Sequence, residues 1–337
     1  MVLSVALIVA AAAVAWEWHA RAAGYVPTIN DTNDVWADRR EAVQPDSIVI
    51  IGDSRALFDS DLDLLEKGLG KRPVQLALVG SCAYPILANL AEDEKFHGIV
   101  ICSLLPGIWL APAGPPVANS EKALKRYKNR TVAQRASNQI GMWLEEHVAF
   151  LKEDDLTLSA LLLQLKFPNR PGTMLPPALP PYFSTMDRER RTRMAEDCAT
   201  PGALQDRVKY GWLPLLTPPP PPTYIPRDAF VAHMGQAIEA RFRDTATAVH
   251  KLKARGAKVV FVRFPMSGKI KEIESMATPK AGPWSRIIKE TGVPGIYFED
   301  YPELSTFTCP EWSHLSGPDS VEFTRRLLPH LQAALAR

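Results

Sequence analysis

Short apolar runs that end near glycine or proline alternate with more polar segments along the first third of the chain. The runs at 47–52 (SIVIIG), 73–79 (PVQLALV) and 98–105 (GIVICSLL) have the composition of buried parallel strands. Between them, 57–69 is suited to a helix or to a turn followed by a helix, and 83–94 is suited to a helix. An order of strand, helix, strand, helix, strand predicts an α/β fold with a parallel sheet.

The same alternation returns near the C-terminus. Residues 227–255 carry apolar side chains in steps of three or four, which predicts a helix with one buried face, and Gly256 is a natural stop for it. Strands are predicted at 258–264 (KVVFVRF) and at 296–299, followed by a closing amphipathic helix at 319–336. The sheet is therefore expected to be assembled from both ends of the chain.

Residues 110–226 are expected to form an inserted lobe that is helical at first and then rich in proline. A long helical stretch is predicted at 119–153. Nearly half of the 30 prolines lie in 168–226, and the five at 218–222 exclude a helix or a central strand there. Polyproline II or irregular structure is expected instead, as a stiff surface loop or as a docking site for a partner. The charged run at 187–197 (DRERRTRMAED) predicts a solvated helix.

The N-terminal segment is a candidate membrane anchor. Residues 2–16 are almost wholly apolar, and the first charge is Glu17. Such a run is short for a membrane-spanning helix, which needs about 20 residues. We favour an uncleaved signal anchor over residues 1–20, which puts residues 21–337 on the periplasmic or another extracytoplasmic side. A signal peptide cleaved near residues 20–22 and a buried core helix are the alternatives.

Charge and cysteine content narrow the function classes. The 39 Lys and Arg against 37 Asp and Glu leave a net charge of +2, which provides no field for nucleic acid. No C-x-x-C spacing indicates a zinc ribbon or a thioredoxin-type site, and no His, Asp or Glu group has convincing metal-ligand spacing. We therefore predict neither a metal nor a cofactor. The four cysteines permit two disulfides in an exported chain, or four buried thiols: Cys82, Cys102, Cys198 and Cys309.

A candidate nucleophile directly follows the first predicted strand, in Gly52-Asp53-Ser54. A nucleophilic serine needs a sharp turn at the carboxyl end of a strand, where its Oγ is exposed and N–H groups of a helix N-terminus are near. The surrounding residues are not the G-x-S-x-G elbow of α/β-hydrolases. Glycine, aspartate and serine also serve as ordinary helix caps, so Ser54 needs support from elsewhere in the chain.

That support lies just before the last predicted helix, in Glu311-Trp312-Ser313-His314. A histidine that acts as a general base needs a carboxylate to orient its ring and to stabilise the imidazolium. A carboxylate three residues before the histidine can fold back onto the ring within one turn. The other six histidines lack this context, and Asp300 is a reserve candidate for the carboxylate.

Together, the Gly-Asp-Ser block and the acid-x-x-His-Leu-Ser block resemble the first and last blocks of the SGNH (GDSL-type) hydrolase family. Gly80, after the second strand, is similar to the glycine of the family's second block. The resemblance covers about residues 45–108 and 256–337. It implies a flavodoxin-like three-layer α/β/α sandwich in which Ser54 attacks an ester carbonyl. It also implies that the backbone N–H groups of Ser54 and Gly80 stabilise the oxyanion.

Two positions depart from the family's pattern. The usual Asp of the last block is Glu311, and the third block's oxyanion Asn has no counterpart in the SLLPG at 103–107. The loss of one oxyanion donor typically lowers the rate by roughly 100- to 1000-fold. Arg55 follows the nucleophile and Arg263 ends the fourth strand, so both are candidates to bind an anionic group, or are ordinary ion-paired arginines.

The resemblance implies a serine esterase or O-acyltransferase that acts on acyl esters of cell-envelope glycans through a Ser–His–Glu triad. Water as the acceptor makes it an esterase, and a sugar hydroxyl makes it an acyltransferase. Membrane-anchored relatives in the family are often paired with a membrane-bound O-acyltransferase, which is therefore a candidate partner. The alternative is a non-catalytic envelope protein that keeps the fold and holds a partner or a glycan with its proline-rich lobe.

Overall fold

The computed structural model describes residues 1–152, 183–216 and 224–336, together with Leu156 and Leu162. Its centre is a wholly parallel five-stranded sheet in the order β2-β1-β3-β6-β7, and the predicted α/β class is confirmed. A separate antiparallel pair, β4-β5, lies in the predicted insertion. The strands are β1 (Ile48–Ile51), β2 (Val74–Gln75), β3 (Ile99–Ser103), β4 (Ser184–Met186), β5 (Thr192–Met194), β6 (Lys258–Arg263) and β7 (Gly295–Tyr297).

Fifteen α-helices lie in the described residues, and the helices predicted at both ends of the chain are among them. They are α1 (Val2–Ala22), α2 (Asn33–Glu41), α3 (Ser54–Phe58), α4 (Leu62–Leu69), α5 (Tyr84–Glu92), α6 (Pro106–Trp109), α7 (Pro115–Asn129), α8 (Val132–Glu145), α9 (Glu196–Ala199), α10 (Ala203–Trp212), α11 (Arg227–Ala254), α12 (Gly268–Ala277), α13 (Pro283–Thr291), α14 (Pro302–Ser305) and α15 (Gly317–Leu335).

The main hydrophobic core joins the two ends of the chain. All four residues of β1 are buried, as expected for a central strand covered on both faces. Helix α5 packs against α11, α4 packs against α15, and α15 also packs against β6. The first and last thirds of the sequence therefore close one core, as the apolar pattern predicts.

One predicted strand is shorter in the structure than expected, and one predicted helical stretch is divided. Strand β2 has only two ladder residues, but the extended chain beyond it still bonds to β1, since the N–H of Leu76 donates to the Ile50 carbonyl (2.8 Å). The helical stretch predicted at 119–153 is two α-helices with a break at Thr131, followed by a 3₁₀ turn at Ala149–Leu151. Thr131 and Gln134 form a capping box that starts α8.

The helix predicted at 187–197 is wrong, because this run is largely the turn and second strand of the β4-β5 hairpin. Arg190 sits in the turn with a positive φ of 61° and is fully buried. Its guanidinium bonds both carboxylate oxygens of Asp31 (2.7 and 2.9 Å) and the carbonyl of Ala77 (2.7 Å). These hydrogen bonds to residues distant in sequence thus stabilise a hairpin turn where the local pattern predicts a helix. The prolines at 218–222, for which polyproline II is predicted, lie outside the described residues.

The N-terminal helix α1 is long and apolar enough to cross a membrane. It has 21 residues, and its most apolar window has a mean hydropathy of 1.7 with none of that window buried against the protein. This exposure excludes the alternative of a buried core helix. The four cysteines are all buried free thiols, so the alternative with two disulfides does not apply.

Candidate active site

Ser54 lies at the point where the order in which strands are added to the sheet reverses. The chain moves from β1 to β2 on one side, and β3 then pairs with the other side of β1. In open α/β sheets, ligand sites form beyond the carboxyl ends of the strands at such a switch point. Ser54 is the first residue of α3, directly beyond β1. Asp53 caps this helix by accepting a hydrogen bond from the N–H of Arg55 (2.9 Å).

Gly52 is required by the close approach of two strand ends. A Cβ atom at this position would lie 2.4 Å from the Cβ of Ser103 and 2.9 Å from the Cβ of Ala56. The backbone φ of 156° also disfavours a side chain. The glycine of the Gly-Asp-Ser block therefore lets β1 turn sharply into α3 beside the end of β3.

The structure brings together the three residues that the two sequence blocks predict as a triad. The Oγ of Ser54 lies 2.8 Å from Nε2 of His314, across 260 residues of sequence. Nδ1 of His314 lies 2.8 Å from Oε1 of Glu311, and both of these residues are fully buried. Because a carboxylate only accepts, Nδ1 carries the hydrogen, and Nε2 is left as the acceptor for the serine hydroxyl.

Glu311 accepts hydrogen bonds from four donors. Oε1 accepts from the backbone N–H of His314 (2.5 Å) and from its ring, while Oε2 accepts from the N–H of Ser313 (3.3 Å) and from the indole of Trp212. These bonds satisfy a carboxylate that has no contact with water. The reserve carboxylate, Asp300, pairs with a surface lysine instead.

Aromatic rings surround the His314 imidazole. Phe58 stacks on it at 4.3 Å between ring centroids, and Trp212 and Phe183 lie at 5.9 and 6.1 Å. Trp212 and Phe183 belong to the insertion at 110–226, which carries none of the sequence blocks. Sequence reasoning missed both residues, since no motif connects a distant tryptophan to this carboxylate.

The hydrogen bond from Trp212 is expected to support catalysis through Glu311. Trp212→Phe should lower kcat for an acetyl ester by about 10- to 100-fold, because a hydrogen bond to a charged group contributes about 1.5–3 kcal/mol. KM should change little, since the indole bonds a residue behind the histidine. Steady-state kinetics of purified variants measure both parameters. Trp109→Phe is the control, because the indole N–H of Trp109 also donates to a side-chain oxygen, that of Thr245 (3.0 Å), away from the candidate triad. Equal kinetic losses in the two variants would contradict the positioning role.

Asp59 holds the chain immediately after His314. Its Oδ1 accepts from the N–H of Leu315 (2.9 Å), and its Oδ2 has no hydrogen-bond partner among the described residues. Burial raises the pKa of Asp59 well above its ordinary value. Asp59 therefore fixes the loop that carries the candidate base, a role that no sequence motif indicates.

The predicted oxyanion donors lie on two neighbouring turns. The N–H of Leu78 donates to the carbonyl of Gly52 (3.0 Å), which draws the turn with Gly80 toward the turn of the serine. Gly80 is exposed with a φ of 58°, a conformation that favours glycine. Within the described chain, neither the N–H of Ser54 nor that of Gly80 donates to a protein acceptor. Both are therefore available to an oxyanion, and this role stays a prediction.

The predicted role of Arg55 and Arg263 in binding an anionic group is not supported by their surroundings. Both side chains are buried, and both donate to the carboxylate of Glu274 on α12. Arg55 bonds both oxygens, at 2.5 and 3.0 Å. Burial opposes ionisation of Glu274, but the two guanidinium groups outweigh it and lower the pKa of Glu274 to about 2. The ion-paired alternative therefore describes these arginines.

Glu274 is expected to be a major stabilising residue. Glu274→Gln leaves two buried guanidinium groups without a carboxylate, which should lower the free energy of unfolding by about 3–5 kcal/mol at neutral pH. Because the folded pKa lies below the ordinary value, the contribution is present at neutral pH. It should fade as the pH falls from about 5 toward about 2. The difference between wild type and variant should shrink over that range.

Urea unfolding at several pH values measures this difference. The matched control is Glu272→Gln on the same helix, whose exposed ion pair with Lys269 (3.6 Å) should contribute less than about 1 kcal/mol. A Glu274→Gln variant as stable as the Glu272→Gln variant would contradict the account of this cluster.

Comparison with protein-family models, curated proteins and solved structures yields no match. Ser54, His314 and Glu311 are therefore interpreted from their own contacts and from the resemblance of their sequence blocks to the SGNH family.

Proposed function

We propose that this protein is a serine esterase or O-acyltransferase of the SGNH type that acts on acyl esters of cell-envelope glycans. The chain of hydrogen bonds from Ser54 through His314 to the buried Glu311, each 2.8 Å long, carries the proposal. The strand order β2-β1-β3-β6-β7 supports a flavodoxin-like three-layer sandwich for the catalytic domain.

The chemistry follows from this geometry. The hydroxyl of Ser54 attacks the ester carbonyl while Nε2 of His314 takes its proton, and Glu311 stabilises the imidazolium. The N–H groups of Ser54 and Gly80 bind the oxyanion of the tetrahedral intermediate. When the intermediate collapses, His314 gives the proton to the leaving alkoxide, and the acyl group stays on Ser54. Water or a sugar hydroxyl then attacks the acyl-enzyme, loses its proton to His314, and restores the serine.

A membrane-anchored location fits this chemistry. Helix α1 supports an anchor, and an envelope glycan as substrate would place the catalytic domain on the periplasmic or another extracytoplasmic side. An acyl donor made at the membrane would reach such a domain directly. A membrane-bound O-acyltransferase is therefore the partner we propose.

Turnover of a chromogenic acetyl ester by the purified full-length chain tests this proposal. We expect alcohol release by wild type that is lost in Ser54→Ala and retained in Ser305→Ala, where the altered serine is exposed and the described hydrogen bond of its hydroxyl goes to the Pro302 carbonyl. The same reaction with an added oligosaccharide distinguishes the two acceptors. An acetylated sugar indicates transfer to a sugar hydroxyl, and free acetate indicates hydrolysis by water. Equal residual turnover by wild type and Ser54→Ala would refute a serine-dependent reaction.

A non-catalytic glycan-binding or assembly protein is the second candidate. The end of β3 favours it, because the chain continues through Leu104, Leu105 and Pro106, whose side chains provide no oxyanion donor. Under this alternative, wild type gives no ester turnover, while glycan binding by isothermal titration calorimetry is unchanged in Ser54→Ala. Detectable serine-dependent turnover excludes it.

A further inference from the structure

Helix α8 turns its apolar side away from the protein. Val132, Ile140, Trp143 and Leu144 are 81, 63, 56 and 39% exposed. With the exposed Ala136, they recur at steps of three and four residues and form one continuous stripe along the helix, here called the α8 stripe. Surface helices of globular proteins normally bury such a stripe and expose the opposite side.

The opposite, polar side of α8 makes the contacts with the protein. The side-chain amides of Asn138 and Gln139 donate to Asp38 on α2 (2.5 and 3.0 Å), and Arg135 pairs with Glu41. Met142 is the buried apolar residue of α8, and it packs in a small cluster with one residue of α2 and one residue just before α2. The helix is thus held by polar bonds in an orientation that presents the α8 stripe outward.

The carboxyl end of α8 is tied to the end of the candidate membrane helix. The carboxylate of Glu17 accepts from the backbone N–H groups of Ala149 and Phe150, both at 3.1 Å. Arg21 donates to the carbonyl of His147 (3.1 Å), just beyond α8. The position at which α1 would leave the bilayer is therefore also the position at which the α8 stripe ends.

We propose that the α8 stripe lies in the interface of the membrane that α1 crosses. The occupant is lipid, at the boundary of headgroups and acyl chains, where amphipathic helices bury their apolar side and tryptophan is favoured. Lys125 and Lys128 on α7, which leads into α8, are exposed and are suited to anionic headgroups. With α1 as its one membrane contact, the domain could rotate about this helix. The second contact through α8 would fix the orientation of the domain relative to the membrane.

This inference rests on the membrane location within the proposed function, and it is independent of the chemistry at Ser54. The test uses full-length chain in phospholipid nanodiscs, with single cysteines labelled by an environment-sensitive fluorophore. The native thiols are buried, so wild type treated with the same fluorophore should stay unlabelled, and it serves as the control for selective labelling. Probes are introduced as Ile140→Cys, with Ala136→Cys as a second site on the stripe. Met276→Cys, at an exposed apolar residue of α12, is the matched control.

Nitroxide-bearing lipids report contact with the bilayer through loss of fluorescence. We expect several-fold stronger quenching at 136 and 140 than at 276, and more from nitroxides near the headgroup than from nitroxides deep in the acyl chains. Val9→Cys on α1 should be quenched most by the deep nitroxides. Quenching at 9 without quenching at 136 and 140 would overturn the α8 proposal alone. Absence of quenching at all labelled sites would overturn the membrane location as well.

Occupancy by protein is the competing outcome. A blue-shifted probe at 140 that lipid nitroxides do not quench would show that protein covers the α8 stripe. Disulfide-linked dimers of Ile140→Cys would then identify a second copy as the occupant. Either result overturns the proposal of a lipid contact.

Discussion

Replacing Ser54 with alanine is expected to lower kcat for an acetyl ester by about 10,000-fold or more, leaving the small residual rate that substrate binding and the oxyanion donors provide. The variant loses the atom that forms the acyl-enzyme, and among the described residues no second nucleophile is bonded to Nε2 of His314. Folding should be unaffected, because Asp53 caps α3 and the described hydrogen bond of the Ser54 side chain is the one to His314. Thermal unfolding checks this point, and the change in stability should stay within about 0.5 kcal/mol.

His314→Ala should produce a loss of similar size, and the double variant should lose little more than either single variant. Residues that act as one catalytic unit have strongly non-additive effects, because the first replacement already removes the pathway that the second residue serves. Initial rates of the two single variants and the double variant complete this cycle. Losses that multiply in the double variant would contradict a shared role.

Glu311→Gln is expected to have a smaller effect on turnover than loss of the serine or the histidine, a decrease in kcat of about 1,000- to 10,000-fold. Each carboxylate oxygen of Glu311 accepts from two donors. An amide nitrogen in either place would face two N–H groups, so at least one pair of hydrogen bonds is lost whichever way the amide turns. The histidine then loses the partner that selects its tautomer and stabilises its charge.

Glu311→Asp is the matched control, since it keeps the charge and introduces the residue that the resembled family has at this position. It should retain more activity than Glu311→Gln, although a side chain shorter by one methylene cannot keep both the His314 and the Trp212 contacts. Glu311→Gln should also be less stable by about 1–3 kcal/mol for each buried donor left unpaired. A Glu311→Gln enzyme within tenfold of wild type would contradict the assignment of the third triad member.

Local patterns predict the sheet well because each central strand is buried on both faces and must be apolar along its whole length. They fail where distant residues decide the structure. Arg190 reads as part of a solvated charged run, yet Asp31 and two backbone carbonyls bury it in a hairpin turn. The break between α7 and α8 depends on the capping bonds of Thr131, which a long helical pattern conceals.

The residues of the candidate site likewise include some that local sequence predicts and some that it does not. Ser54, His314 and Glu311 are predictable because each belongs to a short block whose chemistry is encoded by neighbours in sequence. Trp212 is not predictable, because it lies 99 residues before Glu311 and reaches this carboxylate only through the folding of the insertion. Arg55 and Arg263 suggest an anion site only while their shared partner, Glu274, is unknown. Because both arginines pair with this carboxylate on a later helix, they form a buried structural ion cluster.

The most direct test of the central claim is the mass of the protein after incubation with a fluorophosphonate, followed by peptide mapping. This reagent forms a covalent phosphonyl adduct with a serine oxygen that an adjacent base activates. We expect one adduct per chain on Ser54, none in Ser54→Ala, and much slower labelling in His314→Ala. An unmodified wild-type chain, an adduct on another residue, or labelling of Ser54 at the same rate without His314 would contradict the claim.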